Sequence, residues 1–310
     1  MKRIPAEIEQ DVARARRLEW WTLGWQLSII VILYFVLGSS QALKSAWVED
    51  ILGLVPAAVF LIALHWEQKA PDRRMPFGHL RMNSLAFLAA ASALVVMGGW
   101  LIFDSGMKLL MAEHPTIGPM TIAGERMWAG WPMMAALAYS VVPPVILGRM
   151  KQPVAKRIQD KVLYTDALMQ KADWMTGLAA IVGIAGVGYG LWWADSAAAL
   201  LIALDIAHDG LRALRVAAAE LADGAPRALD SSDIAEDARA LHDHLQARYP
   251  GARIRLRETG RYIMAQVHGA TPPAERCDPR DFWPEAVPNQ WRLASVSFAP
   301  DGIDFDHRLG

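Results

Sequence analysis

"YTDALMQKADWMTG", residues 164–177, sets two acids, Asp166 and Asp173, and one amine, Lys171, at the mouth of an apolar run that continues to Trp193. A bilayer core of about 30 Å needs roughly 20 apolar residues per helix, and the stretch 169–193 is long enough to cross one. Five other stretches match it, at about 20–37, 46–64, 85–103, 127–147 and 196–214. Composition agrees: 54% hydrophobic residues, with 13 Trp and 14 Met among 310, is too apolar for an ordinary soluble enzyme. The expected fold is an α-helical membrane protein. A head at 1–19 precedes six transmembrane helices within 20–220, and a small cytoplasmic α+β domain follows at 224–310.

A net charge of −1 offers no basic field, so no nucleic-acid partner is expected. The single Cys277 excludes an internal disulfide and a thiolate metal cluster built within one chain. No Gly-rich phosphate loop occurs, and no nucleophile and base stand together outside the apolar runs, which argues against an enzyme and against a permanently bound cofactor. The head "MKRIPAEIEQDVARARR" has no short apolar core or small-residue cleavage site, so it reads as a charged cytoplasmic collar, not a signal peptide.

Positive charge stays on the cytoplasmic side of a membrane. Fourteen basic residues stand on one side: Lys2, Arg3, Arg14, Arg16 and Arg17 in the head, Lys69, Arg73, Arg74 and Arg81 in the second connection, and Arg149, Lys151, Lys156, Arg157 and Lys161 in the fourth. Three, Lys44, Lys108 and Arg126, stand on the other. Both termini are therefore expected in the cytoplasm and the chain in the inner (plasma) membrane. Tryptophans 20, 21, 66, 128, 192 and 193 fall at span ends, where an aromatic belt belongs.

In the tail, "DIAEDARALHDHLQARYPG" predicts an amphipathic helix with a capping box of Asp233 and Glu236, stopped at Pro250 and Gly251. "RIRLRE", "YIMAQVHG" and "RLASVSFA" alternate as half-buried strands, with a Pro-rich connection, 272–288, between the second and third.

Ionisable residues inside spans are costly and are functional candidates by default. Asp166, Met169 and Asp173 share one narrow face of the fifth span, and Lys171 points about 160° away from Asp173. The second span carries Glu49 and Asp50, with Gly53 and Pro56 on the Glu49 side and Asp50 turned about 100° from Glu49. Facing carboxylates on two helices suit a hard divalent cation. Asp166 also reads as a first-turn acid outside the membrane, favoured by the helix dipole. Lys171 reads either as the ion-pair partner of Asp205 or Asp209 on the sixth span or as a side chain reaching the interface. Counted from the turn near Asp195, Lys171 lies about 24 residues down one helix and Asp209 about 14 down the other, so such a pair needs a tilted or bent fifth span.

Six spans with acids on the second and fifth, "APDRRMPFGHLRMNSLAFL" between the second and third, and "DALMQKADWMTG" followed by "WWADSAAALLIAL" resemble the cation diffusion facilitator family of divalent-metal exporters. The likeness covers residues 15–220 well and the tail in outline. It implies a homodimer working by alternating access in the lipid bilayer, with protons moving against a transported divalent cation, Mn, Fe, Co or Zn being unresolved. For the central transport site it implies Glu49 and Asp173 as ligands; an exporter with an altered site would add Asp50 and Asp166 as further carboxylates, although Asp50, turned from Glu49, also reads as orienting a neighbour or meeting interfacial water. Gly53 and Met169 stand where the family carries the other two ligands. Asp72 and His79 match the family's loop site, where Met75 replaces a usual His, and His268 matches one ligand of its cytoplasmic metal pair. These departures leave two readings, an exporter with an altered site or a transporter-shaped sensor or interaction partner that no longer moves metal.

Overall fold

A computed structural model of the chain describes residues 4–36, 41–112, 119–122, 125–128, 130–187, 193–275 and 277–300. Its larger part is built from the helices α1 (Ala6–Val36), α2 (Gln41–Glu67), α3 (Arg81–Leu110), α4 (Gly130–Ile158), α5 (Lys161–Val187) and α6 (Ala194–Leu221). Segments of α2, α3 and α4 are long and apolar enough by themselves to cross a bilayer. The sequence of α5 carries Asp166, Lys171 and Asp173, and that of α6 carries Asp205, Asp209 and Arg212, so both dilute their apolar character with charge. Several helices outrun the apolar stretches that mark them. The fourth starts later than expected, because Met127 and Trp128 belong to the ribbon of β1 (Pro119–Ile122) and β2 (Glu125–Trp128).

Helix contacts set the architecture. α1 packs on α2 and α4, and α5 packs on α2 and α4, closing a ring of four, while α3 and α6 pair closely outside it. Small residues permit that pairing: a Cβ on Gly98 would fall 2.8 Å from the Ala207 backbone nitrogen, and one on Gly210 would fall 2.9 Å from that of Val95. Within lipid, where apolar burial gives helices little reason to associate, such close backbone approach is a main source of cohesion.

The tail has α7 (Glu236–Arg248) over a sheet of β3 (Arg253–Thr259), β4 (Tyr262–His268) and β5 (Leu293–Ala299), in the order β3-β4-β5. β3 and β4 form an antiparallel hairpin, and β5 adds parallel to β4. A parallel neighbour needs a long crossover, and the Pro-rich connection supplies it while burying Phe282 and Trp283 against α7 and the sheet. The expected capping box does not form. α7 starts after Ala235 without a side-chain cap, because Ala228 donates to the Asp233 carbonyl and Ala235 to that of Pro226, which ties 233–235 back to 226–228.

The β3–β4 hairpin tip is wedged into the base of the helices. Gly260 adopts φ +60, where a Cβ would meet the Leu80 carbonyl at 2.9 Å, and its amide donates to Ser84 Oγ and Glu220 Oε1. Next to it, the buried Arg261 reaches Asp160 at 2.8 Å and Glu67 at 3.1 Å. Lys161 binds Glu220 and Glu258, and Arg292 ties Glu258 to Asp237. Every charge in this buried network has an opposite neighbour, the condition under which burial is tolerated.

Candidate transport site

α1, α2 and α5 converge around a small set of oxygen-bearing side chains. Gln26 on α1 is buried, and its Nε2 lies 3.3 Å from both the carbonyl and Oδ1 of Asp50 on α2. One turn along α2 stands Gly53, where a Cβ would fall 2.7 Å from Gln26 Nε2 and 3.6 Å from Asp173 Oδ2 on α5. Gln26, Asp50, Gly53 and Asp173 therefore meet at one place inside the ring. The helical repeat brings Asp50 and Gly53, three residues apart, toward the same side. Glu49 falls within α2, and its side chain lies outside the described residues. The same holds for Asp195 on α6.

Met169, one turn before Asp173, is buried in an apolar cluster with Ala93, Leu94, Met97 and Leu101 of α3 and Ala203 and Ile206 of α6. A thioether there fills the seam between helices. Asp166, two turns before Asp173, is likewise fully buried but engaged elsewhere: Lys151 Nζ of α4 donates to it and, at 2.9 Å, to Glu19 of α1. The structure thus assigns Asp166 to an ion triad at the foot of α1, α4 and α5, apart from the Gln26, Asp50 and Asp173 set. Sequence reading passed over Gln26, Glu19 and the triad. Their signal was polarity at or inside the first span, but nothing in spacing along one helix names the partner on another.

Lys171 bonds Asp205 of α6 at 2.9 Å, and Asp209 pairs within its own helix with Arg212. Lys171 stands 16 residues before the end of α5 and Asp205 11 residues after the start of α6, about 24 and 17 Å at 1.5 Å per residue. A double-mutant cycle of Lys171→Ala and Asp205→Ala, followed by thermal unfolding in detergent, is expected to show coupling of about 0.6 kcal/mol, the scale of polar pairs between membrane helices. Strict additivity would mean the pair contributes nothing.

The loop residues take a different geometry. Asp72 accepts the amides of Arg74 and Met75, both at 2.7 Å, and these bonds hold its carboxyl below the usual range. His79 is buried, tilted against Trp66 at 5.5 Å, and lines a cavity of about 620 Å³ together with Glu67, Arg261 and Tyr262. Met75 is exposed. His268 ends β4 opposite Arg253, and its Nε2 is buried without a hydrogen-bond partner. Among the described residues no three of His, Cys, Asp and Glu converge as a metal-holding group. If the central site holds a cation, its ligands extend beyond those four residue types, or to the side chain of Glu49.

Residues 24–222 match the cation efflux transmembrane domain, a span that holds α2 to α6 and the C-terminal part of α1. The manganese efflux system protein MneS of Bacillus subtilis is 26% identical over 198 residues, 64% of either chain. An uncharacterized transporter of Methanocaldococcus jannaschii is 23% identical over 58% of this chain and 60% of its own length, so the chain spans less than two thirds of these two relatives. The cation-efflux pump FieF of Cronobacter sakazakii is 24% identical over 78% of this chain and 75% of its own. With its helices, its central acids and this match over more than half its length, the chain belongs to the cation efflux family of membrane transport proteins.

Proposed function

We propose that the chain exports a divalent metal cation from the cytoplasm in exchange for protons. It works by alternating access as a homodimer in the inner (plasma) membrane, with both termini cytoplasmic. The observation that carries this reading is the meeting of Gln26, Asp50 and Asp173 from three helices inside the ring, an oxygen-bearing set in a part of the chain that has every reason to be apolar. Carboxylates compensate a divalent charge when ionised and release it when protonated, so one site serves cation and proton in turn. Oxygen donors suit Mn and tolerate Fe or Co, whereas imidazole and thiolate suit Zn better, and the name of the Bacillus subtilis relative points the same way.

Inverted membrane vesicles holding the full chain are expected to accumulate Mn²⁺ when their lumen is acidic and to lose most of that uptake when the pH gradient is collapsed. A panel of Mn²⁺, Fe²⁺, Co²⁺ and Zn²⁺ ranks the substrates. Met169, sealed among apolar side chains where a ligand is expected, is the observation that favours a protein no longer moving metal. Vesicles indistinguishable from empty ones for every ion would establish that second reading, a sensor or interaction partner, and end the first.

A further inference from the structure

Position 53 poses a packing question that Gln26 answers. Glycine there leaves room on α2 facing the site, and the room is taken: Gln26 Nε2 sits where a side chain on residue 53 would have to pass, 2.7 Å from its Cβ position, with the amide carbon at 3.4 Å. A side chain at position 53 would have to displace the end of Gln26 from its present place. The amide is buried at 3% exposure, held by the carbonyl and carboxylate of Asp50, and lies on the same side of Gly53 as Asp173 Oδ2. A buried amide bearing both a donor and an acceptor, bonded to one carboxylate, is an expensive group to place in an apolar bundle for packing alone.

We propose that Gln26 is a cation ligand of the central site, its amide oxygen supplying from α1 the donor that glycine at position 53 withholds from α2. The inference rests on the export reading above and deepens it by adding a ligand and a class of ion. Without metal, the amide NH₂ donates to Asp50 and keeps that carboxylate turned into the site. Half a turn about the last side-chain bond exchanges nitrogen for oxygen at the same place, because the two ends of a carboxamide are nearly the same shape. A neutral oxygen in place of a carboxylate keeps the donor count while removing one negative charge. The resulting set, Gln26 with Asp50 and Asp173, is all oxygen and suits a hard divalent ion of the Mn²⁺ kind.

The test measures Mn²⁺ binding to the purified full-length protein in detergent by electron paramagnetic resonance, with thermal unfolding in metal-free buffer alongside. Gln26→Met, similar in volume but lacking the oxygen, is expected to weaken Mn²⁺ about tenfold or more, whereas Gln26→Glu, which keeps an oxygen, retains binding. Gly53→Asp alone should lower the unfolding temperature by colliding with Gln26. Gln26→Ala with Gly53→Asp should recover both stability and binding, since the donor has returned to α2. Wild-type affinity in Gln26→Met would overturn the ligand role while leaving the export reading intact. A wild-type protein that binds no Mn²⁺ and transports none would overturn both. Equal and additive stability losses in the two single variants and their double would show that Gln26 does not occupy the space of a residue-53 side chain, and would overturn the exchange.

Discussion

Alanine at position 173 is expected to reduce metal uptake into inverted vesicles to background, a loss of about 100-fold or more, while the protein still inserts and folds. Outer-shell partners of a bound metal already account for 10- to 100-fold, and Asp173 is the carboxylate that α5 brings beside Gly53 and Gln26. Its neighbours on the helix supply the controls. Met169→Leu, within the apolar seam of α3, α5 and α6, should leave transport within a few-fold of wild type, because an isosteric apolar exchange costs little there. Asp205→Ala, which breaks only the Lys171 pair, should do the same. Glu49→Ala is expected to match the loss at Asp173, on the strength of the family pattern alone. Transport that survives Asp173→Ala would mean that the ion takes another route through the bundle.

The second large effect lies at the foot of the bundle. Lys151→Met leaves Glu19 and Asp166 facing each other in a fully buried site without their shared cation, and removing one partner of a buried ion cluster costs about 3 to 5 kcal/mol. Unfolding in detergent should show it as a large fall in midpoint, and Glu19→Gln with Asp166→Asn in the same background should recover most of it, since no carboxylate is then left buried without a counter-charge. The cluster also carries a pH signature. Burial, then the charge of Asp166, push the Glu19 carboxyl up from 4.5 to about 8, against the opposing pull of Lys151, with Asp160 adding a smaller upward push. Between those values the folded protein holds a proton that the unfolded chain has released, so stability falls as pH rises. The contribution is complete below about pH 4.5 and lost by the time pH has passed 8. The unfolding midpoint of wild type should therefore drop between pH 5 and 8.5 by more than that of Glu19→Gln. Identical slopes would place the titrating group elsewhere.

Much of this protein was legible in one dimension because its strongest signals are local. A span is about 20 apolar residues in a row, and the stretches at 46–64 and 85–103 lie within α2 and α3. A half-buried strand alternates every second residue, and 253–258 and 262–269 became the β3–β4 hairpin. The acids of the second and fifth spans, Glu49, Asp50 and Asp173, declared themselves by their cost in an apolar setting, with Glu49 and Asp173 expected as the ligand pair, and the motifs around them pointed to the family.

What the sequence left open was every relation across helices. Spacing placed Asp166, Met169 and Asp173 on one face of α5, but a face several residues wide meets different neighbours at different heights. Tertiary packing gave Asp166 to Lys151, Met169 to the apolar seam and Asp173 to Gly53 and Gln26. It likewise chose Asp205 over Asp209 for Lys171, a decision that depends on how α5 and α6 pack and on no property of either helix alone. The start of α7 was set by backbone bonds from 226–228 to 233–235, which outcompeted a side-chain cap that the local residues favoured. Local propensity and hydropathy are encoded residue by residue and survive in the sequence. Which side chain answers which across a bundle depends on helix rotation, tilt and crossing, and these exist only once the helices have packed.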